Sequence, residues 1–174
     1  ADGNGTVDTD PRSATFSLVD GVAIYGGFAG DETDIASRHG GETILTGDLN
    51  GDDSSGGSNA ENAYTVVSVK ELDHTTILNG FTVTDGNADK GSTAPCGSGG
   101  GIHIVEYNPD DGGRLILSEL LVAYNSADLP GGGIYVRRGA VTVEDSTIIN
   151  NTAVLGGGIA TSQELLTVIN TTIA

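Results

Sequence analysis

The sequence is poor in sulfur and in aromatic side chains, and both shortages restrict how the chain can fold. With one cysteine, Cys96, it cannot form an internal disulfide, so its stability must come from packing and hydrogen bonding. We expect that thiol to be partly buried or to pair between chains. There is no tryptophan or methionine, and aromatic residues make up 5% of the chain. The core must therefore be built mainly from valine, isoleucine, leucine, alanine and threonine, a set that favours strands.

Basic residues are also scarce: seven lysines and arginines stand against 24 acidic residues, giving a formal net charge of −17. Such an acidic surface repels nucleic-acid phosphates and anionic lipids, so we expect neither a nucleic-acid partner nor membrane insertion. No apolar run approaches the roughly 18 residues that a membrane-spanning helix needs. The charge is typical of a protein that is soluble outside the cell or tolerant of salt. The sequence begins at Ala1 without a leader, which predicts a removed signal peptide or a fragment.

Glycine, by contrast, is abundant, with 28 residues, and it recurs in one motif. The tetrapeptide Gly-Gly-Gly-Ile occurs at Gly99–Ile102, Gly131–Ile134 and Gly156–Ile159. Consecutive glycines are entropically costly, because glycine loses more backbone freedom on folding than any other residue. Their repetition before the same apolar residue indicates a corner of the fold where side chains would collide or where the backbone needs a positive φ.

The segments around these glycines repeat as well. Apolar anchors at Leu78, Leu117, Val143 and Val168 are spaced by 39, 26 and 25 residues, and two loop insertions account for the longer first step. A period near 25 residues, with three short strands per unit, predicts one coil of a parallel β-helix. Like residues would then stack about 4.8 Å apart along the axis. The predicted inward-facing sets are Leu78, Leu117, Val143 and Val168; Val83, Val122, Ile148 and Ile173; Ala88, Ala127 and Ala153; and Ile102, Ile134 and Ile159.

Asn125 and Asn151 hold equivalent positions in the repeats and are predicted to stack inside, with hydrogen bonds from coil to coil.

The N-terminal half of the chain follows the same pattern less regularly. The sequence therefore predicts an all-β fold, a parallel β-helix solenoid of about six coils of roughly 25 residues. A β-sandwich is the rival, but its strands have no reason to repeat one motif at a fixed phase. Residues 1–13 are predicted to be a flexible extension, and residues 14–174 the β-helix domain. The inward residues predicted for the N-terminal half are Phe16, Leu18, Val22 and Ile24.

Several phrases resemble a known family. They are ATFSLVDGVAIYGGFAGDET from Ala14, ILTGDLNGDD, LNGFTVTDGNA and the repeated NNTA before Gly-Gly-Gly-Ile. In order and spacing they resemble bacterial secreted right-handed β-helix proteins, similar to polymorphic outer-membrane-protein repeats and pectate-lyase-like surface proteins. The resemblance runs from about Ala14 to the end of the chain. It implies right-handed coiling, export, and a cell-surface or adhesive role, although members of the family usually have many more coils.

Because β-helices also host polysaccharide lyases and hydrolases, catalytic residues must be considered. Glycoside hydrolysis needs two facing carboxylates, and a lyase needs a base, normally arginine or lysine with calcium. The adjacent Arg137 and Arg138 lie at a turn, and His74 and His103 have no repeated partner. We therefore expect no enzymatic activity, and a carbohydrate-active enzyme is the alternative. The candidate acids, most of them in predicted turns where acidic residues are usually solvated, are Asp48, Asp52, Asp53, Asp85, Asp110 and Asp111.

The segment Gly47–Asp53 carries the clearest ligand pattern. Asp48, Asn50 and Asp52 alternate as the oxygen ligands of a calcium loop do. The acid expected at the twelfth position is missing, since Asn59 stands there, although Glu61 is close. The sequence thus predicts a calcium site at Asp48, Asn50 and Asp52, with a solvated surface loop as the alternative. Three asparagines, Asn4, Asn150 and Asn170, begin sequons that would accept a glycan in a glycosylated surface protein.

The last predicted coil ends at TVINTTIA, without the glycine motif and without a polar cap. An open strand edge pairs readily with another chain. We therefore expect either a fragment of a large surface adhesin or a chain whose copies associate end to end into a filament. The expected function is that of a non-catalytic extracellular structural protein, a filament or cell-surface rod. A carbohydrate or a host-cell surface ligand is the other partner considered.

Overall fold

The computed structural model describes residues 10–91, 97–105, 112–162 and 165–174, and these are almost entirely strands, turns and loops. Within them the helical segments are four short 3₁₀ helices, Pro11–Ser13, Ile35–Ser37, Asp53–Ser55 and Asn59–Glu61. The predictions for Cys96, Asn4, Asp110 and Asp111 lie outside the described residues.

Eighteen strands of the described residues form four sheets, in which every pairing is parallel. Sheet A consists of β1 (Phe16–Ser17), β4 (Val67–Val69), β8 (Ile102–Ile104), β12 (Ile134–Val136) and β16 (Ile159–Thr161). Sheet B consists of β2 (Ala23–Tyr25), β5 (Thr75–Asn79), β9 (Arg114–Ser118), β13 (Ala140–Glu144) and β17 (Leu165–Ile169). Sheet C consists of β3 (Ile44–Thr46), β6 (Thr82–Thr84), β10 (Leu121–Ala123), β14 (Thr147–Ile149) and β18 (Thr172–Ile173). Sheet D consists of β7 (Asn87–Ala88), β11 (Ser126–Ala127) and β15 (Thr152–Ala153).

The order of the strands along the chain is that of a solenoid. From β4 onward the chain visits sheets A, B, C and D in turn and then returns to sheet A one strand further along. Such stacking of parallel strands is consistent with a β-helix, and the prediction of an all-β fold of stacked parallel strands is confirmed. Sheets A, B and C each contain five strands.

The predicted ladders of like residues form in register. Ile134 pairs with Ile102 on one side and with Ile159 on the other, so the three motif isoleucines lie in one row. The same holds for the rows through Leu117 and Val122. In the middle of each row the side chains are fully buried: Val67, Leu78, Val83, Ile102, Leu117, Val122, Ile134, Val143 and Ile148. These rows form the core.

The predicted core residues of the N-terminal half are buried unequally. Leu18 is buried and Ile24 packs against the core. Phe16 holds the inward register opposite Val67 but stays 40% exposed, because β1 is the outermost strand of sheet A. Val22, which precedes the outermost strand of sheet B, is 41% exposed. Position in the outermost strand, and not a wrong register, therefore explains the exposure of Phe16.

The glycine motif fills a corner where neighbouring coils touch. Gly131 has a φ of 78°, in the left-handed region that favours glycine. A Cβ on Gly132 would collide with the carbonyl oxygen of Thr152 in the next coil, and one on Gly133 would lie 2.6 Å from the carbonyl oxygen of Gly158. Because the obstacles are backbone atoms of the next coil, each coil that passes this corner needs the same residues. This is why the motif recurs.

The predicted asparagine stack is also confirmed. Asn125 is 1% exposed, and its Nδ2 lies 3.0 Å from Oδ1 of Asn151 in the next coil. The same oxygen of Asn151 accepts the backbone N–H of Asn125 at 3.0 Å, and Oδ1 of Asn125 accepts the N–H of Gly86 at 2.9 Å. These two amides therefore satisfy backbone groups at a buried corner, where an unmet hydrogen bond is costly.

Residues Asp10–Ser13, the described part of the predicted extension, are attached to the sheets by polar contacts. The Arg12 guanidinium lies 4.1 Å from the ring centre of Tyr64 and forms an ion pair with Asp89 at 2.9 Å. Asp10 accepts hydrogen bonds from the Lys90 ammonium at 2.8 Å and from the Tyr64 hydroxyl at 2.9 Å. These two donors, with the Arg12 N–H, lower the pKa of Asp10 to about 2.

A pH-sensitive ion pair fastens the turn before β2 to the start of β5. Asp20 Oδ2 lies 2.7 Å from His74 Nδ1, and this contact raises the pKa of His74 above its ordinary value. We expect Asp20→Asn to lower the pKa of His74 towards that value, measured by an NMR titration of the imidazole protons. A raised pKa in the folded state means that the pair stabilises the fold below the ordinary histidine pKa and that this stabilisation is lost as the pH rises through the folded value. An unchanged His74 pKa in the variant would contradict the assignment, and His39 serves as the internal control.

Candidate cation site and acidic groove

The loop between β3 and β4, residues 47–66, is organised by the carboxylate of Asp48. Oδ1 accepts the N–H of Gly51 at 2.7 Å and that of Asp52 at 3.3 Å, and Oδ2 accepts the N–H of Asp53 at 3.2 Å. Burial of the Asp48 carboxyl acts to raise its pKa, but these backbone donors outweigh that effect, and the pKa of Asp48 is lowered. The side chain is therefore ionised at neutral pH and fixes the turn around it.

Of the three predicted calcium ligands, the structure brings two together and adds a third from elsewhere in the loop. One carboxylate oxygen from each of Asp48, Asp52 and Glu61 lies within 4.8 Å of the others. Asn50 instead bonds to Asp52: its Nδ2 donates to Oδ2 of Asp52 at 3.0 Å, and its Oδ1 accepts the N–H of Asp52 at 3.0 Å. The acidic cluster is therefore Asp48, Asp52 and Glu61.

Glu61 reaches the cluster because the loop folds back through a short helix. It is the last residue of the 3₁₀ helix Asn59–Glu61, whose first turn is capped by the Ser58 hydroxyl accepting the N–H of Ala60 at 3.1 Å. The Asp52 carboxylate lies directly against Gly57, where an added Cβ would collide with it. The spacing of a calcium loop calls for the third acid at position 59, where Asn59 stands, and the fold supplies Glu61, the acid that the sequence places two residues further on.

Three buried side-chain oxygens in this loop have no hydrogen-bond donor among the described residues: Oδ1 of Asp52, Oε1 of Glu61 and Oδ1 of Asn62. Asn62 is 1% exposed. Its Nδ2 donates to Oδ2 of Asp53 at 2.7 Å and to the carbonyl oxygen of Asp85 at 2.8 Å, which fixes the amide and leaves its oxygen without a partner. Buried oxygens without donors are rare, because each one loses its hydrogen bonds to water.

Beside this cluster lies an open groove of about 690 Å³ lined by Asp48, Asp53, Asp85, Asn62 and Tyr124. Burial raises the pKa of Asp85, and the nearby charges of Asp53 and Asp48 add to that effect, against hydrogen bonds from Thr46 and Thr84. The groove is therefore rich in acidic groups, and the Asp85 carboxyl in it resists ionisation.

A second cluster contains Asp31, Glu32 and His39, with one ligand atom of each within 4.8 Å of the others. Glu32 already accepts the backbone N–H of Ala29 at 2.6 Å and that of Gly30 at 2.8 Å, and these bonds lower its pKa to about 2. Asp31 and His39 are largely exposed. The two oxygens of the Glu32 carboxylate are therefore already used as hydrogen-bond acceptors for the local backbone.

The remaining predicted residues lie apart from the loop. His74 pairs with Asp20, and His103 is buried in sheet A with its ring centre 5.5 Å from that of Tyr135. Asn150 is exposed at a turn with a φ of 56°. Asn170 is exposed too, and its amide donates to the Asp145 carboxylate one coil away. Both sequons that the structure describes therefore present their asparagine at the surface.

No protein-family model, curated protein or solved structure matches this chain. In the described part of the chain no helix has the length and apolar character needed to cross a membrane.

Proposed function

We propose that the chain is a non-catalytic extracellular structural protein, a right-handed parallel β-helix of about six coils whose copies stack head to tail into a filament or cell-surface rod. The resemblance to secreted β-helix proteins supports the hand, the export and the surface location. The arrangement of the outermost strands supports the stacking. A single observation carries it: the apolar rows keep the same phase from the first strand of each sheet to the last.

Three rows cross the whole structure without interruption. The row in sheet A begins at Phe16 and ends at Ile159, the row in sheet B begins at Ile24 and ends at Val168, and the row in sheet C begins at Leu45 and ends at Ile173. A second copy placed on β16, β17 and β18 would continue every row in register. In sheets A, B and C both edges therefore present the same three rows, which is what an open head-to-tail assembly needs.

Exposure along the rows shows what such a contact would bury. Val168 and Ile173 are 42% and 48% exposed, whereas Val143 and Ile148, their partners one strand inward, are fully buried. Among the described residues, no strand pairs with the outer edges of β16, β17 and β18. Another coil laid on this edge would give the outer strands the burial that the inner strands already have, at about 25 cal/mol for each Å² of apolar surface covered.

The charge of the chain sets a condition on stacking. Two copies that each carry a formal charge of −17 repel one another, and this repulsion extends over the Debye length. That length is about 30 Å at 0.01 M salt and about 3 Å at 1 M salt. We therefore expect little association at low ionic strength and long assemblies at high ionic strength.

The test is sedimentation velocity and negative-stain electron microscopy of the chain across that range of salt, compared with edge variants. Val168→Lys and Ile173→Lys place a charge in the rows of the last strands, and we expect each variant to stay monomeric where the unmodified chain forms fibres. Thr167→Lys is the matched control, because it adds the same charge to an exposed neighbouring position of β17 outside the row. Monomers at every salt concentration, or equal assembly of Val168→Lys and Thr167→Lys, would overturn the proposal.

The alternative is a carbohydrate-active enzyme, and one observation favours it. Asp48 and Asp85 line one open groove, burial raises the pKa of Asp85, and backbone donors lower that of Asp48, so the groove holds two carboxyls of different character as a general acid and a base would be. The discriminating experiment incubates the chain with uronate-containing and neutral polysaccharides in the presence of calcium. Unsaturated products or new reducing ends, lost in Asp85→Asn, would replace the structural proposal.

A further inference from the structure

The loop of residues 47–66 collects negative charge and buried oxygens that the stacking proposal does not use. Asp48, Asp52 and Glu61 converge from three points of the loop, and one oxygen of each lies within 4.8 Å of the others. Two of these three side chains, Asp52 and Glu61, also carry a buried oxygen that has no hydrogen-bond donor among the described residues. Ionised carboxylates at this spacing repel one another unless a positive charge lies between them.

We propose that Asp48, Asp52 and Glu61 bind one calcium ion and that this ion fastens the loop to the sheets. Oxygens that bind Ca²⁺ lie about 2.3–2.6 Å from the ion, so any two of them are at most about 5 Å apart. The three carboxylate oxygens, which all lie within 4.8 Å of one another, meet that limit. The three carboxylates are hard oxygen ligands of the kind that calcium prefers to nitrogen or sulfur.

A second observation, independent of the acidic residues, points to a cation. Asn62 follows Glu61 directly, is 1% exposed, and leaves its Oδ1 buried and without a donor. The amide cannot be rotated to exchange its two ends without loss, because Nδ2 donates both to Asp53 and to the Asp85 carbonyl. Neutral amide oxygens are common calcium ligands, and Asn62 lines the same groove as Asp48.

Gly57 explains how the Asp52 carboxylate is held in place for this role. The carboxylate packs on the bare Cα of Gly57, where any side chain would collide with it. The Asn50 amide donates to Oδ2 of Asp52, and Oδ1 is buried and has no donor among the described residues. The residues between β3 and β4 thus supply both the ligands and the groups that orient them.

The experiment titrates Ca²⁺ into the chelator-treated full chain by isothermal calorimetry and follows thermal unfolding in parallel. We expect one bound ion per chain, and at least a tenfold loss of affinity in Glu61→Gln and in Asp52→Asn. Asp31→Asn, in the other acidic turn, is the matched control and should bind as the unmodified chain does. Low ionic strength keeps the copies apart, so that failure of this site and failure of stacking are separate outcomes.

Thermal unfolding distinguishes loss of the ion from a general destabilisation of the variant. In chelator, Glu61→Gln should melt at a higher temperature than the unmodified chain, because one of three repelling carboxylates has been neutralised. With excess Ca²⁺ the order should reverse, since only the unmodified chain gains from the ion. No binding heat at millimolar Ca²⁺, or equal affinity of Glu61→Gln and the unmodified chain, would overturn the proposal.

Discussion

Gly132→Ala is expected to lower the free energy of unfolding by about 3 kcal/mol or more, and at 37 °C the variant should be largely unfolded. The added Cβ would collide with the carbonyl oxygen of Thr152 and lie 2.8 Å from that of Gly157, and both atoms belong to the backbone of the next coil. A side chain in that position could rotate away, whereas the backbone there is fixed by hydrogen bonds such as that from the Gly133 N–H to Gly157 at 2.9 Å.

Gly41→Ala is the control for this variant, because nothing lies within 4 Å of the Cβ that it adds. Both substitutions reduce the freedom of the unfolded chain equally, so any difference between them reports the folded state. We expect Gly41→Ala to change stability by no more than about 1 kcal/mol. Urea unfolding followed by far-UV circular dichroism measures both. Equal stability of the two variants would mean that the coils do not approach one another at Gly132 as described.

Asn125→Ala should also be severe, with an expected loss of about 2–4 kcal/mol. The side chain is fully enclosed, and its removal leaves the Gly86 N–H without an acceptor. It also leaves the Val83 and Ala123 carbonyl oxygens, 3.1 Å and 3.0 Å from the amide nitrogen, without that donor. The cost is high because these groups belong to buried residues, where an unmet hydrogen bond is not replaced by one to water.

The control for Asn125→Ala is Tyr124→Ala at the neighbouring residue, whose side chain is 64% exposed. We expect that change to stay within about 0.5 kcal/mol, since it removes little buried surface. The same denaturant titration compares the two variants. A loss at Asn125 no larger than that at Tyr124 would contradict a structural role for the buried asparagine stack.

The ladders of the core could be predicted from the sequence because repetition supplies their register. Once Leu117 and Val143 are known to be equivalent, the 26-residue step also places Val122 against Ile148 and Asn125 against Asn151. The function of the glycine motif follows in the same way, since every coil passes the same corner. Repetition does not predict how exposed the outermost strands are: Phe16 keeps the register and yet remains partly exposed.

The candidate cation site could be predicted only in part, because it lies in a loop that does not repeat. The alternation of Asp48 and Asp52 identified the first two acids, but the third depends on how residues 54–60 fold back. That path depends on Gly57, whose missing side chain leaves room for the Asp52 carboxylate, and on the short helix that ends at Glu61. Asn50 matched the spacing of a ligand, yet it is used to hold Asp52.

The contacts that attach Asp10 and Arg12 to the sheets also could not be predicted from sequence patterns. Asp10 and Arg12 contact Tyr64 and Lys90, which lie more than fifty residues away along the chain. Each contact is a single polar pairing with no periodic signal. Only the fold, which brings residues 62–64 beside residues 10–12, makes these pairings visible.

Cysteine cross-linking between copies is the measurement that tests the stacking most directly. Ser17 in β1 and Ala160 in β16 belong to one row of sheet A, so a head-to-tail stack would place Ala160 of one copy beside Ser17 of the next, at the strand spacing of about 4.8 Å. That separation allows a disulfide. With Cys96 changed to serine, the Ser17→Cys and Ala160→Cys double variant should form a ladder of covalent oligomers under mild oxidation at high salt. Each single variant should stop at dimers, and a double variant that yields no more than the singles would contradict the account.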